Sequence, residues 1–173
     1  MLTERLNREI NVQINEEIYS AYLYLSMASW FAGKNLPGFE HWMRIQVQEE
    51  LAHASKFFGF VHERGGSVTL EAIKKPTHEW ASPKAVFEAA RGHERHISGR
   101  IDTLMALAVE EKDFASQNYL QWFVGEQVEE EANAEDIVRK LEFVGDSAQG
   151  LFMVDRELAT RVFTPPPTSA RGA

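Results

Sequence analysis

Apolar residues recur at alternating spacings of three and four along four long stretches of this chain, and each series carries metal-ligating residue types near its middle. The first series is Ile10, Ile14, Glu17, Ala21, Tyr24, Ala28 and Phe31, and the second is Phe39, Met43, Gln46, Glu50, His53, Phe57 and Phe60. The third is Phe87, Ala90, Glu94, Ile97, Ile101, Leu104 and Ala108. The fourth is Leu120, Phe123, Gln127, Glu130, Ala134, Ile137, Leu141 and Val144. Residues three and four apart share one helix face, so the spacing predicts four amphipathic helices around one core. The polar members of each stripe point where their apolar neighbours point. Burying a carboxylate without a partner costs on the order of several kcal/mol or leaves it as the neutral acid. Four of them around one imidazole make sense mainly if cations sit among them.

Local signals place the helix ends. Thr3 is a suitable N-cap and Gly33 a suitable stop for the first helix. A Lys34-Asn35-Leu36 turn follows, and Pro37 suits the first turn of the second helix, which is expected to end at Gly65-Gly66. Ser82-Pro83 reads as N-cap and N1 of a third helix reaching about Glu111. Lys112-Asp113 predicts a tight turn, with Asp113 capping a fourth helix that stops near Gly145. Residues 67–81 contain Pro76 and little helical period. So long a connection is uncommon in a compact domain; it suits a crossover that leaves the second and third helices parallel. A shorter fifth helix is expected after Asp146-Ser147, with Leu151, Phe152, Val154, Leu158 and Val162 on one side. The fold class is therefore all-α, a four-helix bundle with one long crossover and a short C-terminal fifth helix. The domain is expected over residues 1–163, with a disordered Pro-rich tail over 164–173.

Composition narrows the function. A chain of 173 residues with 44% hydrophobic and 25% charged residues supports one globular domain and excludes global disorder. No apolar run approaches the roughly 20 residues needed to span a bilayer, and the polar N-terminus offers no signal-peptide core, so no membrane association is expected and cytoplasm is the expected compartment. There is no cysteine, which excludes disulfides, thiolate metal sites and cysteine nucleophiles. The net charge is −8, from 26 acidic and 18 basic residues, and no basic run exceeds two residues, as at Lys74-Lys75. That balance argues against nucleic acid as a partner and favours attraction of cations.

The candidate metal ligands are Glu17, Glu50, His53, Glu94 and Glu130. Glu50 and His53 at i and i+3 converge on one ion. Four carboxylates balance two divalent cations, which points to a dinuclear site. Oxygen donors with one imidazole and no sulfur suit iron or manganese, tolerate zinc and disfavour copper(I). Tyr24 lies two turns from Glu17, either as a core tyrosine bonded to one of the carboxylates or in a redox role. Gln127 and Glu130 occupy the places a second E-x-x-H would fill, and Gln127 either contacts a metal-bound species or hydrogen-bonds Glu130. Glu49, Glu126, Glu129 and Glu131 surround this set, as a solvated face or as an additional, weaker metal site. His41, His62, His78, His93 and His96 fall in polar surroundings or off the stripes and read as surface histidines. Trp122 reads as packing.

The segments NEEIYSAYLYLSMASW, QEELAHASKFFGF and QWFVGEQVEEE, in this order and spacing, resemble the prokaryotic non-haem ferritins, and the likeness extends from about Leu2 to Phe163. The resemblance implies a ferritin-like bundle with an intrasubunit ferroxidase centre. One iron is held by Glu17, Glu50 and His53, and Glu50 bridges to a second held by Glu94 and Glu130. Gln127 and Tyr24 lie beside the pair, and a third iron site falls on Glu49, Glu126, Glu129 and Glu130. The implied activity is oxidation of Fe(II) by O2 or peroxide, with ferric oxyhydroxide stored inside a homo-oligomeric shell of twenty-four subunits. Two departures stand out. Leu51 replaces the haem-ligating methionine of bacterioferritins, so no haem is expected, and Gln117 and Leu120 fall near the acidic pore residues of animal ferritins. Competing readings are a di-iron or di-manganese oxidase that stores nothing, an interaction protein with protonated buried glutamates, and a small DNA-protecting relative.

Overall fold

The computed structural model describes residues 1–167. Five helices make up the regular structure of this region, with no strand among the described residues: α1 (Glu4–Ala32), α2 (Pro37–Glu63), α3 (Pro83–Glu110), α4 (Phe114–Val144) and α5 (Ala148–Leu158). Helices α1 and α2 form one antiparallel hairpin, α3 and α4 the other, and α5 packs against α2 and α4. Every member of the four stripes is buried except Val144, which is half-buried. No helix among the described residues is long and apolar enough to cross a membrane.

Four helices start on the caps that the sequence supplies, α5 among them, where Ser147 Oγ accepts from Gly150 N at 3.1 Å. The side chains of Thr3, Ser82 and Asp113 accept from the backbone N–H of Leu6, Ala85 and Ser116, each at 3.1 Å, which satisfies donors a helix start leaves orphaned. Helix α1 stops at Gly33 as expected, but not through a left-handed glycine. Gly33 keeps a helical φ of −64°, and the reversal falls on Asn35 at φ 57°, a residue whose short polar side chain tolerates the left-handed region. Pro37 opens α2 as predicted, but no side chain nearby in sequence caps it. The buried carboxylate of Asp155, on α5, accepts instead from Gly38 N at 2.8 Å and Phe39 N at 3.1 Å. A Cβ on Gly38 would lie 1.7 Å from the Asp155 carbonyl oxygen, so the approach of α5 requires glycine there.

The crossover runs along α1. Asn7 and Asn11 both donate to the Ser67 carbonyl, Asn11 Oδ1 accepts from Thr69 N, and Asn15 donates to the Glu71 carbonyl. Further along, Ser26 Oγ donates to the Thr77 carbonyl at 2.7 Å and Trp80 meets Trp30 edge-on. These asparagines, four apart on one helix face, satisfy backbone groups that an irregular segment cannot pair internally. The path carries the chain from the start of α1 to its end, so α3 begins beside the start of α2 and runs parallel to it.

The core divides into two apolar clusters. One contains Tyr24, Phe31, Phe39, Trp42, Phe87 and Leu158, and the other Leu6, Ile14, Phe57, Ile101, Leu120 and Phe123. Phe31 stacks on Phe39 at 5.0 Å in the first and Phe57 on Phe123 at 4.1 Å in the second. Truncating any of these rings to Ala costs about 3–5 kcal/mol. Between the clusters lies the polar layer. On α5 the expected apolar side is only partly realised: Val154 and Leu158 are buried and Leu151 half-buried, whereas Phe152 and Val162 are 62% and 77% exposed. Phe152 projects about 100° away from Leu151, and Val162 lies past the helix end.

Candidate metal centre

Glu17, Glu50 and His53 each offer one ligand atom, and these atoms all lie within 4.8 Å of one another. His53 Nδ1 is 3.6 Å from Glu50 Oε2 and 4.0 Å from Glu17 Oε2. All three side chains are buried. The helical i, i+3 spacing supplies the Glu50–His53 half, and packing of α1 against α2 supplies Glu17. Gln13, one turn before Glu17, donates to Glu17 Oε1 at 2.8 Å, while Glu17 Oε2 is buried with no hydrogen-bond partner. An orphaned carboxylate oxygen aimed at an imidazole and a second carboxylate is a donor set that fits a hard or borderline cation.

Glu94 and Glu130 join the same layer from α3 and α4 but are held by hydrogen bonds rather than drawn into that tight trio. The Tyr24 phenol donates to Glu94 Oε1. Gln127 Nε2 donates to the Glu94 carbonyl and to Glu94 Oε2, both at 3.3 Å, and to Ser98 Oγ at 3.4 Å. Gln127 therefore serves Glu94, not Glu130. Glu130 Oε2 accepts instead from Gln46 Nε2 at 3.0 Å. The bond from Tyr24 to a carboxylate that the sequence allowed is therefore made, to Glu94.

The electrostatics follow from crowding carboxylates in a dry layer. Burial first, and the Glu50 charge second, push Glu17 up to about 8. Burial raises Glu50 well above the carboxylate range, reinforced by Glu94 and Glu130, and Glu94 rises for the same reason with Glu130 as its main neighbour. Burial and Glu94 also raise the Tyr24 phenol well above its usual value, so it remains a donor. In the metal-free protein these shifts favour the protonated carboxyls of Glu17, Glu50 and Glu94. Cations that bind must displace those protons.

Outside the layer lies a pocket of about 360 Å³ lined by Glu49, Glu126, Glu129, Glu130 and His53. Glu129 is exposed at its rim, and Glu49 and Glu126 are half-buried. Burial raises Glu49 to about 7 against the opposing pull of Arg161, whose Nη2 donates to Glu49 Oε2 at 2.7 Å. Burial raises Glu126 also. Thr164 to Pro167 cross the mouth of this pocket, and residues 168–173 of the expected disordered tail lie outside the described residues.

Among the five histidines read as surface residues, His93 departs from expectation. It is half-buried, hydrogen-bonded to Ser20 Oγ at 2.7 Å and set edge-on to Tyr19 and Tyr24. His41, also half-buried, meets the Arg161 carbonyl at 2.8 Å. Trp122 sits edge-on to His53 at 5.5 Å. Sequence reasoning missed Gln13 and Arg161. Gln13 was legible as the i−4 neighbour of Glu17; Arg161 gave no local signal.

A bundle with carboxylates projecting from all four helices into one sealed layer defines a class, the helical bundles that hold metal within their core. Within it, the chain belongs to the ferritin family: the Ferritin-like domain matches residues 7–144. It is 43% identical over 161 residues to the bacterial non-heme ferritin of Bacteroides fragilis (strain 638R), spanning 93% of this chain and 100% of that one. A probable bacterial non-heme ferritin-like protein of Haemophilus influenzae is 38% identical over 91% of this chain and 96% of its own length. Among solved structures, an open-pore ferritin from the hyperthermophilic archaeon Archaeoglobus fulgidus superposes with a TM-score of 0.93 at 53% identity, covering 94% of this chain and 99% of that one.

Proposed function

We propose that this chain is the subunit of an iron-storage ferritin that takes Fe(II) as its substrate, oxidises it with O2 or peroxide in the polar layer, and stores the ferric product as an oxyhydroxide inside a hollow shell. The observation that carries the reading is the convergence of Glu17, Glu50 and His53 within 4.8 Å, sealed between two apolar clusters. One Fe(II) binds these three, and Glu50 bridges to a second bound by Glu94 and Glu130. Two Fe(II) neutralise four carboxylates as the layer gives up its protons. Anionic oxygen donors favour the ferric over the ferrous charge and so assist electron loss. Two Fe(II) supply two electrons, which with two protons reduce O2 to hydrogen peroxide. Tyr24 and Gln127 fix Glu94, and Gln46 fixes Glu130, before any ion arrives. The pocket of Glu49, Glu126, Glu129 and Glu130 takes a third iron between this centre and the store.

Assembly has its own support. Phe143 is 93% exposed and Met153 66%, and the two line one groove between α4 and α5. Large apolar groups concentrated in this way mark a surface that other copies cover; twenty-four subunits is the number implied by the resemblance.

The test is metered addition of Fe(II) to anaerobic iron-free protein, followed by air, with ferric absorbance recorded beside a Glu50→Ala, His53→Ala variant. Fast oxidation of about two irons per chain followed by soluble uptake of many more, with the fast phase lost in the variant, supports the reading. Oxidation that stops after the first two makes the protein a di-iron oxidase without storage. No acceleration over buffer refutes the ferroxidase assignment.

A further inference from the structure

The third residue past the end of α5 places a positive charge inside the acidic pocket. Arg161 Nη2 lies 2.7 Å from Glu49 Oε2, and both side chains are largely buried, at 18% and 12% exposure. The guanidinium carbon stacks 4.4 Å over the Trp42 ring. Its grip is nevertheless incomplete, because Nη1 is buried without a hydrogen-bond partner. The backbone is fixed separately: the Arg161 carbonyl accepts from His41 Nε2 at 2.8 Å. Beyond it, the chain crosses the pocket mouth to Pro167, whose carbonyl accepts from Lys56 Nζ at 3.0 Å, while that ammonium lies 4.4 Å over Trp122. The segment is a strap pinned at both ends, and the side chain at its first pin points inward at the carboxylates.

We propose that Arg161 is a tethered counter-cation of this pocket, so that a multivalent cation reaches Glu49 only by displacing the guanidinium. This rests on the reading of the pocket as a place where iron pauses. Glu49, Glu126, Glu129 and Glu130 repel one another when no cation is present, and a partly desolvated guanidinium relieves that repulsion through a charge-assisted bond. Being tethered, Arg161 acts at a high effective concentration. Monovalent ions, which touch one carboxylate at a time, lose to it. A divalent or trivalent iron engaging several carboxylates wins, and the open Nη1 and the separately anchored backbone let the side chain swing aside without unfolding α5. When iron moves on to the store, Arg161 returns. The strap thereby turns a standing cation trap into a transient one.

The test compares wild type, Arg161→Gln and Arg161→Lys as assembled shells, verified by sizing chromatography, in anaerobic calorimetric titration with Fe(II). Removal of residues 161–173 provides a second strap-free variant should Arg161→Gln fail to assemble. The expected result is that the weakest of three binding steps tightens about tenfold in Arg161→Gln. Arg161→Lys should stay near wild type. A third step found only in the strap-free variants also supports the proposal, with the wild-type pocket closed to iron at equilibrium. The same three affinities in every protein overturn the counter-cation role and leave the third iron site standing. Absence of a third step in all of them overturns both.

Discussion

The phenol of Tyr24 on α1 and the carboxylate of Glu94 on α3, seventy positions apart in the chain, are joined by a direct hydrogen bond in the centre of the bundle. The bond fixes the orientation of the Glu94 carboxylate within the polar layer. In Tyr24→Phe, Glu94 Oε1 loses its donor, and only the longer bond from Gln127 to Oε2 remains. Metal-free shells are expected to lose about 1–3 kcal/mol of stability, read as a lower melting temperature. Fe(II) stoichiometry should stay unchanged, while stopped-flow oxidation slows. Loss of one bound iron would instead place Tyr24 in the binding set itself.

The buried carboxylates give a pH dependence of defined sign. Glu17 titrates near 8 in the fold against an ordinary value of 4.5. Its raised pKa contributes stability that is fully present below about 4.5 and is lost as pH rises through about 8, on the order of a few kcal/mol over that window. Metal-free protein should therefore melt at lower temperature at pH 8.5 than at pH 6 as far as this group is concerned. Saturating Zn(II), which has no redox chemistry, should reverse that order and release more protons at pH 6 than at pH 8.5, measured by calorimetry in buffers of different ionisation enthalpy. A pH-independent Zn(II) effect would show that the carboxyls are ionised before metal arrives.

Gln13 holds Glu17 by one of its two oxygens. Replacing it with leucine preserves volume but frees the carboxylate to rotate. Partners of metal ligands carry about 10–100-fold in affinity, so Gln13→Leu should weaken the first Fe(II) step toward the lower end of that range, with the fold unaffected by circular dichroism.

Asp155 and Gly38 couple the fifth helix to the start of the second. Asp155→Ala removes acceptors for two backbone N–H groups and should cost about 1–2 kcal/mol. Gly38→Ala drives a methyl into the α5 backbone and should be worse. Both are expected to impair shell assembly on a sizing column before they affect helix content.

Gln127 and Glu130 stand where a second Glu and His would give the centre another imidazole. The double change Gln127→Glu, Glu130→His should slow passage of ferric iron from centre to store, seen as delayed recovery of the fast phase on a second Fe(II) addition. An undiminished recovery rate would remove any role for this pair in product release.

Much of this protein was legible in its sequence because helical periodicity is a local property. Glu17, Gln46, Glu50, His53, Glu94, Gln127 and Glu130 fall on apolar stripes set by spacings of three and four, and all are buried. Thr3, Ser82 and Asp113 cap helices through atoms three residues away. The stop of α1 at Gly33 was legible too, but the left-handed residue of the turn that follows is Asn35, a choice made by the packed chain.

What the sequence determined by itself is the set of helices, their buried faces and the residue types available to the central layer, since each depends on neighbours within about one turn. What only the tertiary structure decided is which groups meet across the bundle. Gln127 bonds Glu94 rather than Glu130, Asp155 caps a helix that begins more than a hundred residues earlier, and Arg161 reaches Glu49 across a similar separation. Those pairings depend on how separately formed helices dock. Docking is set by the summed fit of two apolar clusters, which no local spacing encodes.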